Sequence, residues 1–553
     1  MKKDYSILIG GKAGQGSRKA GLIIAKLFSK LGYHIFIYDD YQSLIRGGHS
    51  FSQIRASEEK VLSHRREIDF LLALDEETLK KHKDNLKKKG IAVYNSDKAS
   101  FQGEGVSLKK IVEKFKGTPT MKNTALVGAF AKIAGIDWEK LEQLFKEEFE
   151  KSAEINLKIA REAFEKKETL IEIEDLKKEY LPLLTGNEAL CLGAVKAGLD
   201  LYFAYPMTPA SGILHFLAEK EKKFNLRIVQ LENEIAVANG ALGASYSGAR
   251  TMIGTSGGGF ALMTEALSLA AQSEIPLVIA ESQRMSPGSG VPTYTQQGDL
   301  LFNLTAGHGD FVRFVIAPGD AEETAFWAGK IMNLSWKYQT PSIILIDKEV
   351  SESTFSFDEK VLEKIKKEKP LLWDKKGDYF RYKDTEEGVS PLAFPGEKGA
   401  LVKSNSYEHN EFGLTIEDEK RVEKMQEKRL RKFEEMKKEV DQMKAVEVYG
   451  DKKSPKALVV WGSTKGPAKE AAERMGIKMI QPLILEPFPE KEFKKALQGV
   501  EKIALAETNA LGQLGWLLSS FGIKTDKKIL KYDARPFLPE ELMEELMEEL
   551  KDF

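Results

Sequence analysis

Along the first part of the chain the spacing of apolar positions changes in a regular order. SILIGG is a short apolar run, GKAGQGS is a glycine turn, KAGLIIAKLFSKLG repeats its apolar residues at helical spacing, and HIFIYDD is apolar again. Short apolar runs closed by glycine read as buried strands, and a 3.6-residue repeat reads as an amphipathic helix. The pattern predicts a βαβ unit. FLLALD and GIAVYN continue the strands, and NTALVGAFAKIAGI predicts a small-residue helix packed closely on them. A charged helical stretch, DWEKLEQLFKEEFEKSAEINLKIAREAFEKK, closes a first domain over residues 1–180.

A second domain, residues 184–355, opens at TGNEALCLGAVKAG, where Thr185 or Asn187 can cap a helix and Glu188 suits its first turn. DLYFAY is followed by LRIVQLE, ARTMIGTS, PLVIAES, FVRFVIA and PSIILID, with helical or glycine-rich segments between them. That alternation predicts an α/β fold with a doubly wound, mostly parallel sheet. Residues 356–450 form a charged linker in which 370–414 shows little periodicity. Its helix, EDEKRVEKMQEKRLRKFEEMKKEVDQM, places Val422, Met425, Phe433, Met436, Val440 and Met443 on one stripe, the mark of a solvated helix with one packed face. ALVVWGS, GPAKEAAERMG, KMIQPLIL, EKIALAET and NALGQLGWLLSSFG then describe a last α/β domain over 451–553.

Composition narrows the class. At 553 residues the chain exceeds a single core, and 42% hydrophobic with 30% charged residues describes a globular protein. Lys+Arg 83 nearly cancel Asp+Glu 84, so neither nucleic acid nor an anionic membrane is an expected partner. The apolar run at the start is too short for a signal peptide, and no stretch approaches the ~20 residues of a membrane span, so the cytoplasm is expected. Cys191 is the only cysteine, which excludes an intrachain disulfide or a cysteine-ligated iron–sulfur cluster carried by this chain.

Four places carry candidate chemistry. In YPMTPAS, Pro206 and Pro209 stiffen the exit of a strand and present Thr208 at its tip. Glu234 opens the small-residue helix IAVANGALGAS. A carboxylate there complements the helix dipole, and in an apolar setting it can also retain a proton near neutrality. TSGGG, with Thr255 and Gly257, offers backbone to a flat ligand. Arg284 follows the strand PLVIAES, where open α/β sheets bind ligands, and it can grip a carboxylate through two parallel bonds or form an ordinary ion pair.

Residues 185–355 resemble the pyrimidine-binding domain of the 2-oxoacid:ferredoxin oxidoreductase alpha subunit. The family shows Tyr-Pro-Ile-Thr-Pro, a Glu before a small-residue helix, and Arg-Gly-Gly-Pro-Ser-Thr-Gly-Leu-Pro-Thr. This chain has YPMTP, ENEIA and RMSPGSGVPT in the same order, departing at Met207, Met285, Ser286 and Gly288. AGHGDF and KYQTPSIILIDKEVSES are also similar to the family's. The N-terminal domain is similar to the family's gamma subunit, fused ahead of alpha, on GKAGQG (Ala13 where glycine is usual), RGGHS and NTALVGA. WGSTKGPAKEA and ETNALGQLG resemble the alpha subunit's C-terminal, transketolase-like domain. The resemblance implies three doubly wound domains and a helical linker, and 370–414 carries it least.

The resemblance also implies a thiamine diphosphate enzyme that oxidatively decarboxylates a 2-oxo acid to acyl-CoA, passing electrons to ferredoxin. It assigns Glu234, in preference to Glu232, to N1′ of the aminopyrimidine. Tyr205, Thr208 and Arg284 fall to the 2-oxo acid, and Thr255 and Gly257 to the cofactor. Gly11, Gly14, Gly16 and Arg46, with Arg18 and Lys19 adding charge, fall to coenzyme A. Thiamine enzymes hold the diphosphate through Mg2+ with a Gly-Asp-Gly motif, and this chain has none. The diphosphate–Mg2+ site and the iron–sulfur cluster are therefore expected on a beta subunit.

Two other readings stand beside this one. A nicotinamide dehydrogenase would use GGKAGQGS and an acid at Asp39, although Gly11-x-x-Gly14-x-Gly16 reverses the dinucleotide spacing. A non-catalytic assembly subunit would use none of these residues chemically.

Overall fold

Strand Asp4–Lys12 carries the first apolar run through Gly10 and on into Gly11, the first glycine of the predicted turn. It belongs to a computed structural model that describes residues 3–43 and 48–549. The chain divides into two compact units. One is Met1–Leu184 with Ser353–Asp358 and Leu538–Glu541; the other is Thr185–Glu352, Glu359–Phe537 and Leu542–Phe553.

In the first unit the predicted βαβ order is present, but its two strands are not neighbours. His49–Ser57 lies between Asp4–Lys12 and His34–Asp40 and is antiparallel to both. Ile68–Ala73 and Leu86–Asn95 follow in parallel on the other side. The sheet is thus mixed rather than mostly parallel. His49 and Ser50 open that inserted strand where a second βα turn was expected, with Gly11 facing Ser50 in register. Helix Ser17–Lys30 buries Ala20, Ile23, Ile24, Leu27 and Phe28. Gly21 allows the close approach, because a Cβ there would lie 2.6 Å from the Cβ of Ser52.

The small-residue helix Lys122–Ile133 also forms, but its closest packing is on another helix, Ala153–Glu165. A Cβ on Gly128 would sit 2.3 Å from the carbonyl oxygen of Ala160. Glycine therefore serves a helix–helix contact there, where the sequence pattern implied a helix–sheet contact.

The second unit holds a seven-stranded and a five-stranded sheet. The seven-stranded sheet runs Ile484–Glu486, Phe314–Ile316, Pro341–Asp347, Leu277–Gln283, Thr251–Thr255, Leu201–Ala204, Arg227–Gln230. The six strands from Phe314–Ile316 onward are parallel, in five neighbouring pairs. Only Ile484–Glu486 is antiparallel. KMIQPLIL therefore splits: Lys478–Pro482 stays in the five-stranded sheet and Ile484–Glu486 crosses to the other. One buried apolar cluster accordingly runs from Phe203, Ile253 and Leu345 to Trp461, Leu505 and Leu518.

Helix Glu419–Val440 forms as expected and buries Met425, Met436 and Val440. It also buries Lys428, Arg429 and Lys432, which no apolar stripe reveals. Among the described residues, no helix is long and apolar enough to cross a membrane.

Candidate active site

Four adjacent parallel strands deliver the candidate residues. Arg227–Gln230 leads to Glu234, Leu201–Ala204 to Tyr205 and Thr208, Thr251–Thr255 to Gly257, and Leu277–Gln283 to Arg284. Parallel pairing puts all four exits at the carboxyl end of one sheet, where doubly wound sheets place ligands. Residues scattered over 80 positions of sequence thus converge because of strand order alone.

The turn after Leu201–Ala204 is held from two sides. Thr185 forms a capping box with Glu188, which leaves Asn187 free for another task. Its amide donates to the Pro209 carbonyl at 3.0 Å. From the other side Arg284 Nη1 donates to the Thr208 carbonyl at 2.8 Å. Arg284 and Thr208 are therefore brought together, through the backbone oxygen of Thr208. Tyr205 is exposed at the start of the turn.

Glu234 is 4% exposed at the first position of helix Glu234–Tyr246. Asn233, not Glu234, caps that helix, accepting from the Ala236 amide at 2.9 Å. Freed from capping, Glu234 Oε1 is enclosed and takes no hydrogen bond. A buried carboxylate oxygen without a donor is costly unless a partner arrives. Glu232, two residues earlier, is not buried.

Opposite Glu234 stands helix Gly257–Leu262, which begins directly after Thr251–Thr255 where TSGGG was expected to form a turn. A Cβ on Gly259 would lie 2.2 Å from Thr255 Oγ1 and 2.7 Å from Glu234 Oε1. A Cβ on Gly257 would lie 2.5 Å from Asp299 Oδ2. The bare first turn of this helix therefore fits between two carboxyl groups. Asp299 is a residue the sequence pattern did not single out, as is its neighbour Glu281, fully buried and in register with Thr255.

Burial pushes the Glu281 carboxyl well above the usual range, and the charge of Asp299 adds to it. Burial likewise raises Asp299, opposed by its hydrogen bond to Glu281 and by the charge of Arg284. Partial burial draws the Arg284 guanidinium down, and Asp299 opposes that.

The glycine loop of the first unit is ordered by its own side chains. Gly14 and Gly16 take positive φ, 87° and 81°, and Gly16 precedes helix Ser17–Lys30. Gln15 Oε1 accepts from the Lys12 amide, and a Cβ on Gly11 would meet that oxygen at 2.6 Å. Beside the loop is a cavity of about 350 Å³ bordered by Gly16, Lys19, Met121, Asn123, Phe149 and Asn156.

The basic residues expected to add charge to this loop are engaged elsewhere. Arg18 pairs with Asp39 at 3.0 Å and Lys19 with Glu148 at 2.5 Å. Arg46 lies outside the described residues. Asp39, the acid a dinucleotide site would use, also accepts from Ser52 Oγ. The inserted strand moreover separates it from Asp4–Lys12, so the geometry of a dinucleotide fold is absent from this pair.

Comparison with known proteins decides the family. A 2-oxoacid:ferredoxin oxidoreductase subunit alpha from Sulfolobus sp is 32% identical over 99% of this chain and 97% of its own length. The chain belongs to this family of oxidoreductase alpha subunits. The family described as "Pyruvate flavodoxin/ferredoxin oxidoreductase, thiamine diP-bdg" matches residues 192–428, and "Pyruvate ferredoxin/flavodoxin oxidoreductase" matches residues 6–166. A 2-oxoglutarate synthase subunit KorA from Archaeoglobus fulgidus is 29% identical and covers 66% of this chain and 98% of its own. Among solved structures, 2-oxoglutarate:ferredoxin oxidoreductase from Magnetococcus marinus, with 2-oxoglutarate, coenzyme A and succinyl-CoA bound, superposes with a TM-score of 0.92. It is 29% identical and covers all of both chains. The α/β fold read from strand order is the fold of that relative, and the four strand exits described above lie within residues 192–428, the stretch that matches the thiamine-binding family.

Proposed function

We propose that this chain supplies the aminopyrimidine and 2-oxo acid half of an oxidative decarboxylation site. A beta-type subunit holds the diphosphate, Mg2+ and an iron–sulfur cluster, ferredoxin takes the electrons, and coenzyme A takes the acyl group. The observation that carries this reading is the enclosed, donor-free Glu234 Oε1 facing a wall of glycine backbone. That arrangement fits a flat heterocycle whose ring nitrogen bonds a carboxyl group, which is what thiamine diphosphate presents. When bound, the cofactor supplies the carbon nucleophile and electron sink that carboxylate loss from a 2-oxo acid requires.

The chain's own residues do the rest. Glu234 exchanges a proton with the ring nitrogen at its enclosed oxygen, where water does not compete. Gly259 keeps a Cβ away from Glu234 Oε1, and the side that Gly257 leaves bare is taken by Asp299 Oδ2, so these glycines shape the cofactor's surroundings through the carboxyl groups they admit. Arg284, anchored on the Thr208 carbonyl, keeps donors for the substrate carboxylate, with the Thr208 hydroxyl and Tyr205 completing that side. In the first unit Gly11, Gly14 and Gly16 shape a loop beside a cavity, and this loop is the proposed place for coenzyme A, joined by Arg46.

The lone Cys191 is buried, its thiol donating to the Ile213 carbonyl, and burial pushes it far up. It is therefore a packing residue in this scheme.

The test is Glu234→Gln in the complex reconstituted with the beta-type subunit. A neutral amide cannot exchange the proton, and such groups contribute about 10²–10⁴-fold to turnover. Turnover should fall by that factor with assembly unchanged, while Glu232→Gln should leave it nearly intact. The reverse pattern would move the role two residues upstream.

A further inference from the structure

Lys478, the first residue of strand Lys478–Pro482, is 3% exposed and has no part in the chemistry above. Its ammonium donates to the carbonyls of Ala496 at 3.1 Å and Gln498 at 3.2 Å, at the end of helix Glu490–Ala496. Lys428, Lys432 and Lys465, buried in the same unit, each pair with a carboxylate. Among the described residues no carboxylate pairs with Lys478. Burial draws its ammonium down, opposed only by the charge of Asp451 beyond ion-pair distance. The carbonyls at a helix end favour a cation, but they offset only part of the cost of burying a full charge. Lys478 is therefore a buried cation short of a counter-charge.

A cavity of about 470 Å³ adjoins it, bordered by Lys444, Val446, Val448, Lys452 and Lys495 as well. Glu447 borders it too, and successive residues of a strand face opposite sides. A cavity that touches Val446, Glu447 and Val448 must therefore run along the rim of their strand. That strand, Val446–Gly450, is the edge of the five-stranded sheet and pairs with Lys478–Pro482 on its inner side. Edge strands leave backbone N–H groups without a strand partner. The two carboxylates that border the cavity are engaged. Glu447 pairs with Lys444 at 2.6 Å, and Glu492 accepts from the Ala445 amide at 2.8 Å. Lys452 and Lys495 have no ion-pair partner among the described residues. Four lysines against two glutamates leave the cavity net positive.

Separate ammoniums act as point charges and lack the fork that selects a flat carboxylate, so they suit the oxygens of a phosphoryl group. Inorganic phosphate would leave most of the volume unfilled, since one water takes about 30 Å³ of liquid. It would also leave Val446, Val448 and Ala496 uncovered. An acidic strand added along the edge would meet Lys452 and Lys495 but not an ammonium as buried as that of Lys478. We propose that this cavity binds a nucleoside phosphate, with Lys452, Lys478 and Lys495 on the phosphoryl oxygens and Val446, Val448 and Ala496 against the nucleoside. The site shares no residue with the decarboxylation site and does not depend on its assignment.

Calorimetry of the full chain tests this with ADP, inorganic phosphate and hexaglutamate as probes. ADP should bind saturably and more tightly than phosphate. Lys478→Met should weaken ADP at least about tenfold, the effect of losing a bond to a charged group. The thermal midpoint of the ligand-free variant should stay level or rise, because an apolar side chain replaces a buried charge that lacks a partner. Lys495→Ala, at an exposed position, should weaken ADP severalfold with the midpoint unchanged. A lowered midpoint in Lys478→Met with ADP affinity as in wild type would make the lysine a helix cap and overturn the proposal. So would the absence of ADP binding, or phosphate bound as tightly as ADP. Hexaglutamate bound in place of ADP, and still bound by Lys478→Met, would give the edge to an acidic strand instead. Should Lys478→Met fail to fold, Lys495→Ala and Lys452→Ala decide, and unchanged ADP affinity in both overturns the site.

Discussion

Replacing Glu274 with Gln should loosen helix Glu419–Val440 in a way that alkali repairs. Glu274 is fully buried, bonded to Lys428 Nζ at 2.6 Å and to Lys432 as well, while Arg381 donates to its backbone carbonyl. Burial alone would raise the Glu274 carboxyl, but Lys428, Lys432 and Arg381 more than offset it and hold it well below the usual range. Burial in turn draws Lys428 from 10.5 down to about 8, against the pull of Glu274. At neutral pH that ammonium is already disfavoured by about 3 kcal/mol relative to an exposed lysine. Removing the one carboxylate leaves Lys428, Lys432 and Arg381 without a counter-charge, a change that typically costs about 3–5 kcal/mol. Gln tolerates the positive φ of 50° at this position about as Glu does, so the backbone is not the variable.

The sign with pH follows from proton counts. A lysine whose folded value lies below its unfolded one binds fewer protons when folded, so stability rises with pH between the two values. In the variant both lysines are lowered further and shed their protons sooner than in wild type. The deficit should therefore shrink by about 1.4 kcal/mol per pH unit for each lysine neutral in the variant but still charged in wild type. Hydrogen exchange of the Glu419–Val440 amides, with thermal midpoints, at pH 7 and pH 8.5 measures both quantities. A deficit under about 1 kcal/mol, or one that does not change with pH, would refute the charge-burial argument.

The remaining expectations concern the proposed site. Arg284→Lys should raise KM for the 2-oxo acid without weakening thiamine diphosphate binding, because lysine keeps the charge and loses the fork. Thr208→Val should act more mildly, since the bond from Arg284 goes to the Thr208 carbonyl, which valine keeps. Competition kinetics of both variants, unchanged from wild type, would remove these residues from the site. Gly14→Val forces a β-branched residue to a φ of 87° with no neighbour to clash, so its effect is backbone strain of about 1–2 kcal/mol. KM for coenzyme A should rise while coenzyme A-independent decarboxylation stays level, and equal loss of both activities would place the loop elsewhere.

What the sequence made legible was punctuation. YPMTP, ENEIA, TSGGG and RMSPGS each end a strand or begin a helix, and each prediction needed only local rules for proline, glycine and helix starts. Sheet order then did what those rules imply, since four parallel neighbours must release their chains on one side. Glu281 and Asp299 left no such trace. Eighteen residues apart, they meet only because Gln283 folds the Asp299 loop back onto its own strand. Asp299 presses on Gly257, whose missing side chain was read as room for a ligand alone. Lys428 and Lys432 were illegible for a related reason: at helical spacing they continue the buried face of Met425 and Met436, and only a distant Glu274 makes burial of their charge tolerable.

The glycine loop marks the limit of local reading more sharply. Strand, Gly-rich turn, helix, strand and a terminal acid satisfy the outline of a dinucleotide site, and within residues 4–40 only the reversed glycine spacing departs from it. The contradiction comes from residues 49–57, which enter the sheet between the two strands and run against both. Their Ser52 occupies one oxygen of Asp39 while Arg18 occupies the other. Strand insertion is a long-range event whose only local signal is an ordinary apolar alternation in HSFSQIRAS. Motif spacing therefore narrows function only where the neighbouring strand is also known, and in this chain the reversed glycine spacing was the single residue-level sign that the neighbour had changed.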